Sequence, residues 1–150
     1  MSDQPTIHDV RLTNLFRFED DRGAVLHHLR NDDPTFTQFG ECYFSEIVSG
    51  AVKAWKRHRH QTQNLAVPVG HVRFVVYDDR DGSPTRGALD EVDLGRPDDY
   101  RRLLIPPGLW YGFQCLGDRS ALIANCVDAP HDPDDNEIVE PEDSPIPYAW

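Results

Sequence analysis

The chain has 150 residues and a formal net charge of −11, with 26 acidic side chains against 15 Lys and Arg. This length predicts one domain that buries its own core. The acidic balance excludes nucleic acid as a partner, because binding to phosphate backbones requires a broad basic surface. No segment reaches the roughly 20 apolar residues of a membrane span and the N-terminus has no apolar leader, so we expect no membrane partner and a cytoplasmic protein.

The first third of the chain predicts short strands separated by turns. Residues 7–20 suit short strands better than one amphipathic helix, and Asp20 to Gly23 mark a turn. Residues 24–30 predict a further strand, residues 31–35 a second turn, and residues 36–48 a β-rich run.

The remaining two thirds continue in the same way. Two apolar strands, 64–69 and 71–77, are joined at Gly70. A long turn at 78–87, a short strand at 89–94, a strand at 101–118 broken by Pro106 to Gly108 and a buried strand at 120–129 follow. No window has a convincing helical period, so the pattern predicts an all-β sandwich or barrel.

The last 23 residues differ from the rest in composition. Residues 128–150 carry five prolines and a cluster of acidic side chains, which rules out a central strand. We expect an acidic, Pro-rich tail whose end, residues 146–150, packs back on the barrel.

A basic cluster interrupts this acidic chain at residues 53–60. It comprises Lys53, Lys56, Arg57, His58, Arg59 and His60. If the segment is an extended strand, Lys56, His58 and His60 share one face, while Trp55 and the two arginines share the other. Such a local positive pocket in a negative protein predicts a small anionic ligand.

Several motifs then occur in a recognisable order. They are Asp21-Arg22-Gly23, GAVKAW at 50–55, VVYDDRDGSPTRG at 75–87, LLIPPGLWYGFQCLGD at 103–118 and the terminal IPYAW. Together they resemble the dTDP-4-dehydrorhamnose 3,5-epimerase family. The resemblance implies a single cupin-like domain over residues 1–150, a double-stranded β-helix or jelly roll. It also implies a homodimer with exchanged N-terminal strands and a nucleotide-linked 4-keto sugar as ligand.

The same resemblance implies roles for particular positions. The family's catalytic His in R-G-L-H corresponds to Lys56, and its phosphate-binding Arg to Lys53. Arg22 matches a position that contacts substrate across the dimer, and Tyr111 replaces a His usual in the turn after Pro106. The family's acid, a Tyr, falls at Ile123 or Ala124, and the carboxylate that pairs with its His lies beyond the position of Trp150.

These considerations give one set of candidates and two alternatives. The catalytic candidates are Lys56, His58 and His60; the substrate-binding candidates are Arg22, Lys53, Asn64, Tyr111 and Asn125. An isomerase or epimerase that moves a proton next to a carbonyl is the leading hypothesis. The alternatives are a metal-dependent cupin that uses His58 and His60, and a non-catalytic ligand-binding member. We expect no cofactor and no bound metal, because two imidazoles alone leave too few ligands.

Overall fold

The computed structural model describes residues 4–150; the predicted domain also includes residues 1–3, which lie outside the described part. The described chain forms twelve strands and two short 3-10 turns. The strands are β1 (Arg11–Asn14), β2 (Arg17–Asp20), β3 (Gly23–Leu26), β4 (Glu41–Ile47), β5 (Val52–His58), β6 (Gln63–Val69), β7 (His71–Tyr77), β8 (Leu89–Gly95), β9 (Arg101–Ile105), β10 (Trp110–Leu116), β11 (Ala121–Val127) and β12 (Asn136–Ile138). The prediction of an all-β fold is confirmed.

Two five-stranded antiparallel sheets make up the body. The first sheet has the order β1-β9-β6-β11-β4, and the second has the order β12-β5-β10-β7-β8. From β4 to β7 each successive strand lies in the other sheet, which is the winding of the predicted jelly roll. The hairpin β2–β3 follows β1 in the chain and forms a separate two-stranded sheet.

Gly70 makes the corner at which the chain changes sheets. It has a φ of 81°, and a Cβ atom there would lie 2.7 Å from Ala121. Only glycine combines this backbone conformation with so close an approach. The predicted pair of strands joined at Gly70 is confirmed, and its two members lie in facing sheets instead of forming a hairpin.

The core fills the space between the two sheets. Val72, Phe74 and Val76 alternate along β7 and are completely buried, as the two-residue period of a strand requires. They pack against inward-facing side chains of the first sheet, among them Leu103 and Ile105.

The strands around residues 27–40 are shorter than predicted. β3 ends at Leu26 and β4 begins only at Glu41. Arg102, a buried side chain, donates to the carbonyl of His28 at 2.9 Å and to the Asp33 carboxylate at 2.6 Å. These bonds hold the connection through a long-range side chain that strand propensities do not reveal.

The C-terminal tail contributes to the second sheet and covers it. β12 pairs with the edge of β5, a strand that the sequence pattern did not indicate. Further along, Ile146 is buried, and Tyr148 and Trp150 pack around Trp55 of β5. The tail therefore fixes β5, the strand that carries the basic cluster.

Candidate active site

A cavity of about 250 Å³ lies between the two sheets. Strands β4, β6 and β11 form one wall, and β5 and β10 form the other. Its lining comprises Tyr43, Ser45, Lys53, Ala54, Trp55, Lys56, Leu65, Tyr111, Phe113, Ile123, Asn125 and Ile138. The two lysines are the charged members of this set, so the cavity is locally positive.

Lys56 is the half-buried cation of the cavity. Burial lowers the pKa of its ammonium below the ordinary value, and the nearby charge of Lys53 lowers the pKa further. Lys53 itself lies at the exposed rim, where its Nζ donates to the carbonyl of Glu46 at 2.8 Å. Both effects favour the neutral, proton-accepting amine at Lys56.

The two arginines of the basic cluster are already paired with carboxylates. Arg57 stacks over the ring of Trp110 at 4.5 Å and forms ion pairs with Asp79 and Glu137 at 3.2 and 2.6 Å. Arg59 shares the Glu137 carboxylate at 3.2 Å. The positive character of the cavity thus comes from the lysines alone.

On the opposite wall, Asn125 organises a buried polar network. Its side-chain amide donates to the Tyr43 hydroxyl at 2.9 Å and to the side-chain carbonyl of Gln63 at 2.6 Å. Its own carbonyl accepts the backbone N–H of Asn64 at 3.0 Å. Burial raises the pKa of Tyr43, so its phenol stays protonated at neutral pH.

Three side chains, Tyr111 in the cavity wall and His58 and Asp135 behind it, form a row of close polar contacts. His58 Nε2 lies 3.1 Å from the Tyr111 hydroxyl, and His58 Nδ1 lies 3.6 Å from the Asp135 carboxylate. The carboxylate favours the tautomer with its hydrogen on Nδ1, which leaves Nε2 to accept from Tyr111. Burial and then Lys56 lower the pKa of His58, against an opposing effect of Asp135, and burial strongly raises the pKa of Tyr111.

Five of the eight predicted site residues meet at this site. Lys53, Lys56, Tyr111 and Asn125 line the cavity, and His58 contacts it through Tyr111. The prediction that His60 shares the face of Lys56 and His58 is wrong, because β5 ends at His58 and residues 59–60 form a bend. The His60 side chain is exposed, and its backbone N–H bonds to Asp135 instead.

Asn64 and Arg22 lie away from the cavity. Asn64 borders a second cavity of about 550 Å³, together with Arg11, Gln38 and Asp128. Arg22 is 89% exposed at the tip of the β2–β3 hairpin and pairs with Asp20 at 2.7 Å. Within one subunit, neither residue is placed to touch a ligand held between the sheets.

Two residues of the site were missed by the sequence analysis. Tyr43 could have been found, because the alternation along β4 places Tyr43 and Ser45 on the inner face and Cys42 and Phe44 on the outer one. Asp135 follows an Asp-rich run, lies far from His58 in the chain and has no local signal. Asp135 supplies a carboxylate to His58. The resemblance instead implied a carboxylate beyond the position of Trp150, paired with the family histidine that corresponds to Lys56.

The described residues give no support for a metal centre. Within residues 4–150, no group of three or more His, Cys, Asp or Glu side chains is placed to hold a metal ion. His58 is turned toward Tyr111 and Asp135, and His60 is turned outward, so the two imidazoles of the alternative hypothesis do not converge. The same residues contain no helix with the length and apolar character needed to cross a membrane.

Comparisons with known proteins bear on the fold and the family. A family model described as dTDP-4-dehydrorhamnose 3,5-epimerase matches residues 4–150. The crystal structure of a dTDP sugar isomerase from Desulfovibrio desulfuricans G20 is similar with a TM-score of 0.92 and 52% identity, over 96% of this chain and 92% of that one. This likeness confirms the predicted fold.

Two relatives in sequence carry names from glycan biosynthesis. One, from Haloferax volcanii, is named "Probable low-salt glycan biosynthesis epimerase Agl13" and is 34% identical over 96% of this chain and 90% of its own length. The other is the spore coat polysaccharide biosynthesis protein SpsL of Bacillus subtilis, 31% identical over 96% of both chains.

Proposed function

The chain belongs to the dTDP-4-dehydrorhamnose 3,5-epimerase family, and we propose that it moves a proton next to the carbonyl of a nucleotide-linked keto sugar with Lys56 as the base. The observation that carries this proposal is the placement of Lys56, a half-buried amine with a lowered pKa, in the cavity between the sheets. A general base works best when its pKa lies near the working pH, and burial moves a lysine in that direction.

The chemistry of the cavity fits an enolisation. The Lys56 Nζ lone pair takes the proton from the carbon beside the carbonyl, the C–H electron pair forms a C=C bond, and the carbonyl π pair moves onto the oxygen to give an enolate. The apolar side chains of Leu65, Phe113 and Ile123 keep water away from this intermediate. The ammonium that forms on Lys56 then stabilises the neighbouring negative charge.

The size and charge of the cavity support an anionic sugar derivative as the ligand. Its volume of about 250 Å³ suits a sugar ring more than a whole sugar nucleotide. We place the ring between the sheets and the diphosphate at the rim, beside the exposed Lys53 ammonium. Lys53 therefore binds substrate, as does Asn125 through the network that shapes the opposite wall.

The proposal is tested by solvent isotope exchange. The purified protein is incubated with a dTDP-4-keto-6-deoxyhexose in heavy water, and the carbons beside the carbonyl are followed by nuclear magnetic resonance. We expect deuterium incorporation that depends on the protein. Tight binding of dTDP without any exchange would contradict the proposal and favour the non-catalytic, ligand-binding alternative. Exchange that is lost on treatment with a chelator would favour the metal-dependent cupin.

We also propose a homodimer, because two exposed apolar surfaces on the chain can cover each other. The hairpin β2–β3 and its approach expose Phe16, Phe18 and Val25, and the edge strand β4 exposes Phe44 on its outer face. An exposed edge strand and aromatic patches of this kind are typical of subunit interfaces. In such a dimer the exposed Arg22 at the hairpin tip reaches the ligand of the partner subunit.

Light scattering at micromolar concentration should give twice the chain mass of 17.1 kDa. The double variant Phe16→Ser with Phe18→Ser should shift the protein toward monomer, because both rings lose their partner surface while the core is untouched. A stable wild-type monomer would contradict the dimer and the role of Arg22.

For location we propose the cytoplasm, where the three free cysteines of the chain remain reduced.

A further inference from the structure

Inversion at a carbon requires a proton donor on the face opposite the base. Three hydroxyl groups line the cavity, those of Tyr43, Ser45 and Tyr111. Tyr111 pairs with Lys56 in neighbouring strands of the same sheet, so its hydroxyl lies on the same wall as the base. Tyr43 and Ser45 lie on β4, in the facing sheet.

The hydrogen of the Tyr111 hydroxyl is already engaged. His58 Nε2 lies 3.1 Å from the Tyr111 hydroxyl oxygen, and the Asp135 carboxylate 3.6 Å from Nδ1 favours the tautomer in which Nε2 accepts from Tyr111. Tyr111 is therefore an acceptor toward the cavity and a poor source of a proton.

The Tyr43 hydroxyl has the opposite arrangement. Its oxygen accepts a hydrogen bond from the Asn125 amide at 2.9 Å. Among residues 4–150, no acceptor is paired with the hydroxyl hydrogen of this cavity-lining side chain, which leaves that hydrogen available to a ligand. Ser45 lies two residues further along the same face of β4, but an aliphatic alcohol is a weaker acid than a phenol.

We propose that Tyr43 is the catalytic proton donor on the wall opposite Lys56, and that Asn125 positions its hydroxyl. This role rests on the proposed function, because it completes the epimerisation that Lys56 begins. The Tyr43 O–H bond breaks, a new C–H bond forms on the face of the enolate opposite Lys56, and the carbonyl is restored. The Tyr43 phenolate then takes a proton from water while the Lys56 ammonium releases one, so protons balance over the turnover.

A proton donor and a merely structural residue differ in their effect on two measured rates. Loss of the donor lowers the rate of inversion but spares the rate of exchange, whereas loss of a structural residue lowers both rates. Without a donor on the far wall, Lys56 still removes the hydrogen, exchanges it with solvent and returns it to the same face. Tyr43→Phe should therefore keep exchange in heavy water within about tenfold of wild type, while formation of the inverted sugar falls by about 100-fold or more. The ring is retained, and Asn125 keeps its bond to Gln63, so the fold should be unchanged by circular dichroism.

Ser45→Ala is the matched control on the same strand face, and it should both exchange and invert as wild type does. Inversion by Tyr43→Phe within tenfold of the wild-type rate would overturn the assignment, as would a comparable loss of inversion in Ser45→Ala. A folded Tyr43→Phe protein that loses exchange and inversion together would also overturn it, because Tyr43 would then be required for enolisation. Absence of exchange in the wild-type protein would instead remove the proposed function itself, and the donor role with it.

Discussion

Lys56→Ala is expected to lower the rate of deuterium exchange into the keto sugar by about 10²- to 10⁴-fold, the range over which a general base contributes. Once the Lys56 amine is removed, the remaining amine among the described cavity-lining residues is that of Lys53, which lies at the exposed rim and donates to the Glu46 carbonyl. Tyr111 stays protonated, and His58 lies behind it. Binding of dTDP should persist, since Lys56 is a cavity group and is absent from both hydrophobic clusters. Exchange is measured by nuclear magnetic resonance and binding by calorimetry.

Lys56→Arg should fail as completely as Lys56→Ala, because a guanidinium remains protonated at every usable pH. In the wild-type protein, exchange should fall as the pH drops through the lowered pKa of Lys56, since the amine then becomes an ammonium.

Lys53→Ala is an informative comparison. It removes a charge that lowers the Lys56 pKa, so this limb of the pH profile should move to higher pH while KM rises. Wild-type exchange in both Lys56 variants would show that the base lies elsewhere.

Strand positions were predictable because local chemistry dictates them. Pro106 and Pro107 lack backbone N–H donors and Gly108 has a φ of 89°, so the break between β9 and β10 follows from three residues. The same holds for the corner at Gly70. Where a boundary depended on a distant side chain, as it does where Arg102 holds His28 and Asp33, the sequence pattern overextended the strands.

The positions of the site residues were predictable only within a strand, where side chains alternate between its two faces. Lys56 and His58 are two residues apart in β5 and both turn inward, whereas His60 follows the end of the strand and turns out. Asn64 lies between Gln63, which bonds to Asn125, and Leu65, which lines the cavity; it borders a different cavity itself. Asp135 reaches His58 only because the tail returns to the edge of β5, a long-range contact without a local signature.

Trp55 is the residue through which the tail stabilises the catalytic strand. It is 1% exposed, and its ring packs edge-on to Tyr148 at 6.2 Å and against Trp150 at 5.2 Å. Its backbone N–H and carbonyl both bond to Val139, at 2.8 and 3.1 Å. Trp55 therefore joins β5 to the tail directly beside Lys56.

Trp55→Ala should destabilise the protein by about 3–5 kcal/mol, since truncation of a buried Trp leaves a cavity in addition to losing apolar contact. For a chain of this size that corresponds to a fall in melting temperature of roughly 6–20 °C. Trp55→Phe is the matched control, because it keeps an aromatic ring against Tyr148 and Trp150, and it should lose clearly less. Guanidinium unfolding and calorimetry measure the difference.

Limited proteolysis should cleave the tail of Trp55→Ala first, because the aromatic ring that holds Tyr148 and Trp150 has been removed. A melting temperature equal to that of the wild type would show that the tail contributes no stability to β5, and that Lys56 is held in place by the sheet alone.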